Sequence, residues 1–321
     1  MRCIAKLDRK TVLVHGGQMI HTPVMVAEVL HYLLHDESNL ILDATVGCGG
    51  HTEAILAARE NLSVVCIDRD AQALALAKKR LWTYGERAIF YHGLFTDLEE
   101  ALLSRGNVDG VLVDHGLSSL QLEDPHRGFS YQIDSPLDMK MGGGGLTATE
   151  LIMTTSETEL AGILGQYGEL RMPRKMARSI KAAADKGGLK TTRDLAGTIE
   201  TVFGGRVQPG VLSRIFQALR IAVNDELDVL AEFLGKILRF VNTNGRLVFI
   251  SYHSLEDRKI KEFFKKLSAV CTCPPETPLC VCGRKPALEI LTRKVVKTSA
   301  QEIASNSRSR SARLRAARVL A

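Results

Sequence analysis

Aromatic side chains are scarce in this chain of 321 residues: one tryptophan, six tyrosines and ten phenylalanines make up 5% of it. So thin a supply leaves no visible row of rings on which unpaired bases could stack. No apolar run approaches the roughly 20 residues of a membrane helix, which excludes a helical membrane span. The first residues mix Lys6, Asp8, Arg9 and Lys10 with short apolar stretches, so no signal peptide is readable and a cytoplasmic setting is expected. No Gly-x-Ser-x-Gly elbow occurs, so His253, Ser254 and Asp257, neighbours on one turn, do not make a hydrolase triad. Internal repeats and extended low-complexity segments are also missing.

What remains is ordinary for a globular protein: 45% hydrophobic and 24% charged residues, with length enough for a full α/β core and a second domain. The net charge of +6 permits a polyanionic partner without requiring one. Of seven cysteines, Cys3, Cys48 and Cys66 are scattered and expected to be reduced thiols. The other four form Cys271-x-Cys273 and Cys280-x-Cys282 with Pro274 and Pro275 between them. Four thiolates could hold zinc. The pairs are Cys-x-Cys, however, not the stronger Cys-x-x-Cys, and metal-free thiols are the preferred reading.

The most informative stretch is Asp43-Ala44-Thr45-Val46-Gly47-Cys48-Gly49-Gly50-His51. An apolar strand (40–42) enters this glycine turn, a helix follows, and a second apolar strand (64–67) ends in Asp68. This is a nucleotide-binding βαβ pattern: glycines let backbone approach the ligand, and the acid accepts hydrogen bonds from ribose hydroxyls. Dinucleotides and S-adenosyl-L-methionine both use it. The third glycine of a dinucleotide fingerprint is replaced by Thr52, so the Asp-x-x-x-Gly-x-Gly form favours S-adenosyl-L-methionine.

Strand-like and helix-like segments alternate from Leu40 to about Ser119, which predicts a doubly wound parallel sheet. A polar stretch, 120–141, then reads as a long functional loop ending in the four-glycine hinge 142–145. Leu137, Met139 and Met141 alternate there, compatible either with an edge strand packed on the core or with a lid. Five short helices are expected between 147 and 223, one of them starting at Thr192, before a strand returns at 245–252. The fold expected is therefore one Rossmann-like sheet interrupted by an all-helical insertion. Its parts are an N-terminal extension (1–18) expected to be disordered, a first sheet half (19–141), an inserted helical domain for substrate recognition (142–222), and a second half (223–321) with a basic C-terminal tail.

Asp114 ends the fourth strand, where open α/β sheets bind ligands. A helix N-cap is the plain alternative for such an acid. The cluster Ser251 to Arg258 follows the returning strand and is expected to face the same crevice. Arg171, Arg174, Lys175 and Arg178 fall at helical spacings on one face. Together with Arg308, Arg310, Arg313, Arg315 and Arg318 of the tail they would make a phosphate-contacting surface.

With these blocks on the page, the chain resembles the RsmH (MraW) family, class I S-adenosylmethionine-dependent methyltransferases. The resemblance runs from about His21 to Arg315. It rests on His21-Thr22-Pro23-Val24, Asp43 to His51, Asp68-Arg69-Asp70, Asp114 to Gln121, Arg127 to Ser130, Pro136 to Met139, Tyr167-Gly168-Glu169, Phe216 to Leu227, Ser251 to Arg258 and Arg310-Ser311-Ala312. The chain departs from the family pattern in having His115 for leucine, Leu120 and Ser307 for proline, and Gln208 to Ile215 in place of a Lys-His-Pro-Ala-Thr-Arg-Thr run.

The resemblance implies methylation of the exocyclic N4 amine of a cytidine in small-subunit (16S) ribosomal RNA, near the decoding centre. It implies that Gly49, Gly50, His51, Asp68, Phe95, Asp114 and Gln121 contact the cofactor, with Phe95 near the adenine. It also implies a start near Met19, with Met1–Gln18 an upstream extension. The amine is a poor nucleophile because its lone pair conjugates into the ring, so an acceptor must hold its hydrogens. Asp114 is the first candidate, Ser118 or His253 the second. No metal is expected at the reaction site. The expected partner is the small ribosomal subunit or its 16S rRNA, with no membrane, and a homodimer is compatible with the sequence. The Asp-Pro-Pro-Tyr motif of many amino-methyltransferases is absent. Rival readings are a nicotinamide oxidoreductase, an inactive RNA-binding assembly factor, and a lipid or cell-wall methyltransferase.

Overall fold

The computed structural model describes residues 23–271, 273 and 282–320. The 1–18 extension, the His21–Thr22 start of the first family block, Cys3, Pro274, Pro275 and Cys280 lie outside the described residues.

The strands are β1 (Leu40–Asp43), β2 (Ser63–Asp68), β3 (Ala88–His92), β4 (Val108–Asp114), β5 (Val241–Ser251), β6 (Leu288–Ile290), β7 (Val296–Lys297) and β8 (Arg313–Val319). They form one sheet of order β3-β2-β1-β4-β5-β8-β6, with β7 paired to β8. The first five strands are parallel, while β8 runs antiparallel to β5 and to β6.

The first sheet half carries helices α1 (Val26–Leu33), α2 (Gly50–Ala58), α3 (Ala71–Arg80), α4 (Leu98–Ala101) and α5 (Ser119–Glu123). Then come α6 (Ala148–Thr154), α7 (Glu157–Gly168), α8 (Pro173–Asp185), α9 (Thr192–Phe203) and α10 (Pro209–Asn224), with no strand among them. The chain returns through α11 (Glu226–Lys236), α12 (Ser254–Ser268) and α13 (Ala300–Ser305).

Both sheet faces are buried, as a parallel sheet requires, so its strands read as near-continuous apolar runs. Successive residues face opposite ways. In β4, Val111 and Val113 join a cluster with Phe233, Phe249 and Phe264, while Leu112 joins Val29, Leu33, Ile55 and Leu74 on the other face. A third, separate cluster lies inside the helical unit, built from Leu164, Ile180, Leu195, Ile199, Ile215 and Leu219.

Local chemistry sets the helix starts of that unit. Thr147, Ser156 and Thr191 each accept from the backbone N–H three residues on, and Glu150, Glu159 and Asp194 bond back. The last box opens at Thr191, so α9 begins at Thr192, the start expected from sequence.

Two expectations change. The 120–141 segment is not a free lid: it opens with the short helix α5, and Phe129, Leu137 and Met139 are buried in the helical unit's own core. Pro136 bridges to Thr191, and the Leu137 amide donates to the Lys190 carbonyl at 3.1 Å. Gly128 makes the close approach possible: at φ 68° a Cβ would lie 2.2 Å from the Pro136 carbonyl oxygen.

The second change is the C-terminus, which is not a loose basic tail. Leu314, Ala316, Ala317 and Val319 are buried, which makes 313–319 an inner strand. Its arginines are paired with acids on α12 and β6. Arg315 Nε and Nη2 hold Asp257 at 2.6 and 3.1 Å, Arg313 lies 3.7 Å from the same carboxylate, and Arg318 pairs with Glu289.

Candidate active site

A cleft opens at the C-terminal ends of β1, β2 and β4, where strand order reverses between β1 and β4 and open α/β sheets bind ligands. The glycine turn lines one side through Gly47, Cys48, Gly50 and His51. Its shape is held from below by Asp43, which lies buried outside the cleft. Asp43 Oδ2 accepts from the Thr52 hydroxyl at 2.6 Å and Oδ1 from the Thr45 amide at 3.3 Å. Burial pushes the Asp43 carboxyl up to about 6. The position that a dinucleotide fingerprint gives to its third glycine thus belongs to a threonine tied to the strand end.

Asp68, at the end of β2, also lines the cleft. Its Oδ2 accepts from the Gly47 amide and its Oδ1 from the Asp70 amide, both at 2.8 Å. Burial raises its pKa, and these two donors oppose that. Each oxygen keeps a lone pair for a further donor. Beside it, Asp70 caps α3 and gathers Gln121 Nε2 at 3.0 Å and the Arg127 guanidinium. Burial alone would raise the Asp70 carboxyl, but Arg127 and Gln121 bring it below its ordinary value.

Asp114 stands across the cleft. Its amide donates to Thr45 Oγ1 at 2.7 Å, its Oδ2 lies 3.4 Å from His51 Nε2, and its Oδ1 is buried without a hydrogen-bond partner. Tyr252 lines the cleft beside it, and burial together with the Asp114 charge raises its phenol well above the ordinary range. An orphaned buried carboxylate oxygen at a cleft wall is an acceptor awaiting a donor.

Phe95 lines the same cleft and meets His115 and Phe233 edge-on, at ring separations of 5.3 and 5.1 Å. Ser118 and Gln121 line it while forming a capping box on α5. The Ser118 oxygen accepts from the Gln121 amide at 3.2 Å, so its present role is structural.

Two expected site residues stand elsewhere. Gly49 is the N-cap of α2, behind the wall, because at φ 82° it packs against Ala77 and Leu81. His253 lies buried as the N-cap of α12, its Nδ1 accepting from the Glu256 amide at 3.4 Å and its Nε2 3.0 Å from Glu256 Oε1. Burial would raise Glu256, but the His253 imidazole, with His115 and Arg220 beyond it, holds the carboxyl down at about 2. The ring therefore supports the floor and does not face the cleft.

Sequence reasoning did not single out Thr45, Cys48, Arg69, His115, Met141, Asn224, Glu226, Val229 or Tyr252 as lining residues. The signal was present in the Phe216 to Leu227 block, whose Asn224 and Glu226 turn at the end of α10 into the wall. Arg220 fixes Glu226 through two bonds, at 2.8 and 2.9 Å.

A glycine turn after β1, an acid at the end of β2 and an unsatisfied acid at the end of β4, on a sheet of this order, define a class I methyltransferase. The chain belongs to the MraW methylase family, whose model matches residues 18–320.

Relatives agree along nearly the whole length. Ribosomal RNA small subunit methyltransferase H of Syntrophotalea carbinolica is 45% identical over 307 residues, covering 94% of this chain and 98% of that protein. The protein of the same name from Thermomicrobium roseum is 44% identical over 308 residues, 94% of each. A solved rRNA methylase from Streptococcus thermophilus aligns over 92% of this chain and 94% of its own at 12% identity and a TM-score of 0.39. At that level the likeness adds nothing to the topology.

Proposed function

We propose that this chain methylates the N4 amine of a cytidine in small-subunit ribosomal RNA, with S-adenosylmethionine as methyl donor and the small subunit or its 16S rRNA as partner. The observation that carries the chemistry is the unpartnered Asp114 Oδ1 at the cleft wall, opposite Asp68 and beside the glycine turn. The substrate class rests on the names of the relatives.

The residues fit the donor. Asp68 has free lone pairs for ribose hydroxyls, Phe95 and Val229 offer apolar surface for a base, and Gly50 and His51 bring backbone to the ligand. When bound, the cofactor supplies an activated methyl group on sulfur. Asp114 accepts a hydrogen of the incoming amine, freeing the nitrogen lone pair from the ring and helping it become tetrahedral. The Thr45 hydroxyl fixes the Asp114 backbone, and His51 lies beside the carboxylate at 3.4 Å. An acceptor of this kind contributes about 10²–10⁴-fold, and alignment of amine and methyl at least as much. The base must leave its stack to reach the cleft, whose wall beside the helical unit is built by Met141 and Asn224, just outside its two ends.

The basic helix supports an RNA-facing role in part. Lys175 donates to the Val202 carbonyl and Lys181 to the Ile152 and Met153 carbonyls, all at 3.0 Å, so both serve helix ends. Arg178 pairs with Glu157, while Arg171 and Arg174 are exposed for phosphate.

The test is methyl transfer from labelled S-adenosylmethionine to small subunits from a strain lacking the gene, followed by nucleoside mass spectrometry. N4-methylated cytidine is expected. Label in another nucleoside overturns the substrate, and binding without transfer overturns the activity.

A further inference from the structure

Apart from the cleft, one cluster of reactive side chains converges with no task in the reaction. Cys271 follows α12, Cys282 precedes β6, and Cys273 lies close by. Their three sulfurs all lie within 4.8 Å of one another. Cys282 Sγ is 3.9 Å from Cys271 Sγ, and the Cys273 amide donates to Cys271 Sγ at 3.3 Å. A disulfide would bring two sulfurs to about 2.05 Å. Tetrahedral zinc, with bonds of about 2.3 Å, separates its sulfurs by about 3.8 Å. The observed spacing matches the second arrangement.

Burial does not explain the convergence. Cysteine not bound to a partner is among the most buried residue types, as Cys66 is here, packed beside Thr52 with its thiol pushed up by burial. Cys271 and Cys282, by contrast, are exposed and Cys273 is half-buried. The scaffold beneath them is fixed. The Ala287 amide donates to the Leu267 carbonyl at 2.9 Å and Arg284 Nη2 to the Lys266 carbonyl at 2.6 Å, which clasps the two feet of the connector.

We propose that Cys271, Cys273 and Cys282 bind a structural zinc ion through three thiolates, stapling the connector between α12 and β6. The ion sits apart from the cleft, and no step of methyl transfer passes through it. Its effect is on order: it holds the chain that leads into the edge strand pairing with β8. This site stands whether or not the methyl-acceptor assignment does.

The experiment uses the full-length chain without a metal-binding tag, reduced, incubated with zinc chloride and passed over a chelating resin. Elemental analysis is expected to find close to one zinc per chain. Cys271→Ser, Cys273→Ser and Cys282→Ser each lose most of it, while Cys48→Ser in the cleft wall keeps it. Cobalt(II) loading of the unmodified protein gives strong thiolate-to-metal absorption, a readout that needs no variant to fold. Removing the ion lowers the melting temperature of the wild type and leaves that of Cys282→Ser unchanged. A zinc-treated wild type that emerges metal-free and shows no cobalt–thiolate band overturns the proposal. So does a Cys271–Cys282 disulfide found by mass spectrometry in protein isolated under reducing conditions.

Discussion

Asn224 clamps the backbone of Met139: its Nδ2 donates to the Met139 carbonyl at 2.8 Å, while its Oδ1 accepts from the Met141 amide at 2.8 Å. Met139 needs the clamp because it sits at φ 62° with a fully buried side chain, a conformation that costs a non-glycine residue about 1–2 kcal/mol. Asn224→Leu leaves two buried backbone groups unpaired and is expected to cost about 2–4 kcal/mol in urea denaturation. Because Met141 and Asn224 both line the cleft, S-adenosylhomocysteine affinity by calorimetry should fall as well. Unchanged stability would show that the clamp is not needed.

Asp114→Asn keeps the shape of the side chain and removes the charge. Turnover at saturating RNA is expected to fall about 100-fold or more, with S-adenosylhomocysteine affinity changed only a few-fold. A variant that binds both ligands and turns over at the wild-type rate removes Asp114 from the chemistry.

Asp43 predicts a pH dependence of stability. Its folded pKa of about 6 lies above the unfolded value of 3.8. In that window the fold holds a proton that the unfolded chain has released. The contribution is complete below 3.8 and is lost as pH rises through about 6, up to about 3 kcal/mol in all. Asp43→Asn has no proton to lose. Its melting temperature relative to wild type should therefore rise between about pH 4 and pH 7, and a flat difference would exclude the raised carboxyl.

Glu256→Gln tests the floor of the site. Removing the charge takes away the buried carboxylate that lies 3.0 Å from His253 Nε2, while Arg220 keeps its pair with Glu226. A loss of about 3 kcal/mol is expected from chemical denaturation. A change below about 0.5 kcal/mol, the range of ordinary surface substitutions, would mean that the network is not a stabilising unit.

The arginines separate into two groups by partner. Arg315→Met should weaken the fold by breaking the bond to Asp257 while leaving RNA affinity nearly unchanged. Arg171→Glu with Arg174→Glu should do the reverse, raising KM for subunits and flattening the salt dependence of binding, by about one unit of slope per lost phosphate contact. Equal effects from both sets would contradict this division.

The parallel half of the sheet was legible in the sequence because strands buried on both faces read as unbroken apolar runs, from Leu40 to Asp114. The glycine turn and Asp68 were legible because backbone approach and ribose bonding demand those residue types. What was hidden depended on distant pairing. The 313–319 strand alternates arginine with small apolar residues, and only Asp257 and Glu289, on other elements, reveal why those charges are tolerated. Leu137 and Met139 looked like a lid or an edge because their partners, in α6 to α10, follow later in the chain. His253 carries chemistry-bearing groups in sequence but turns inward, since a helix start needed its ring.

Met141 and Asn224 are 83 positions apart, yet they touch, and the whole helical unit lies between them. The unit is rooted in the cofactor's own wall. Both ends of the unit therefore leave the sheet at one point, and that point is the wall of the cleft.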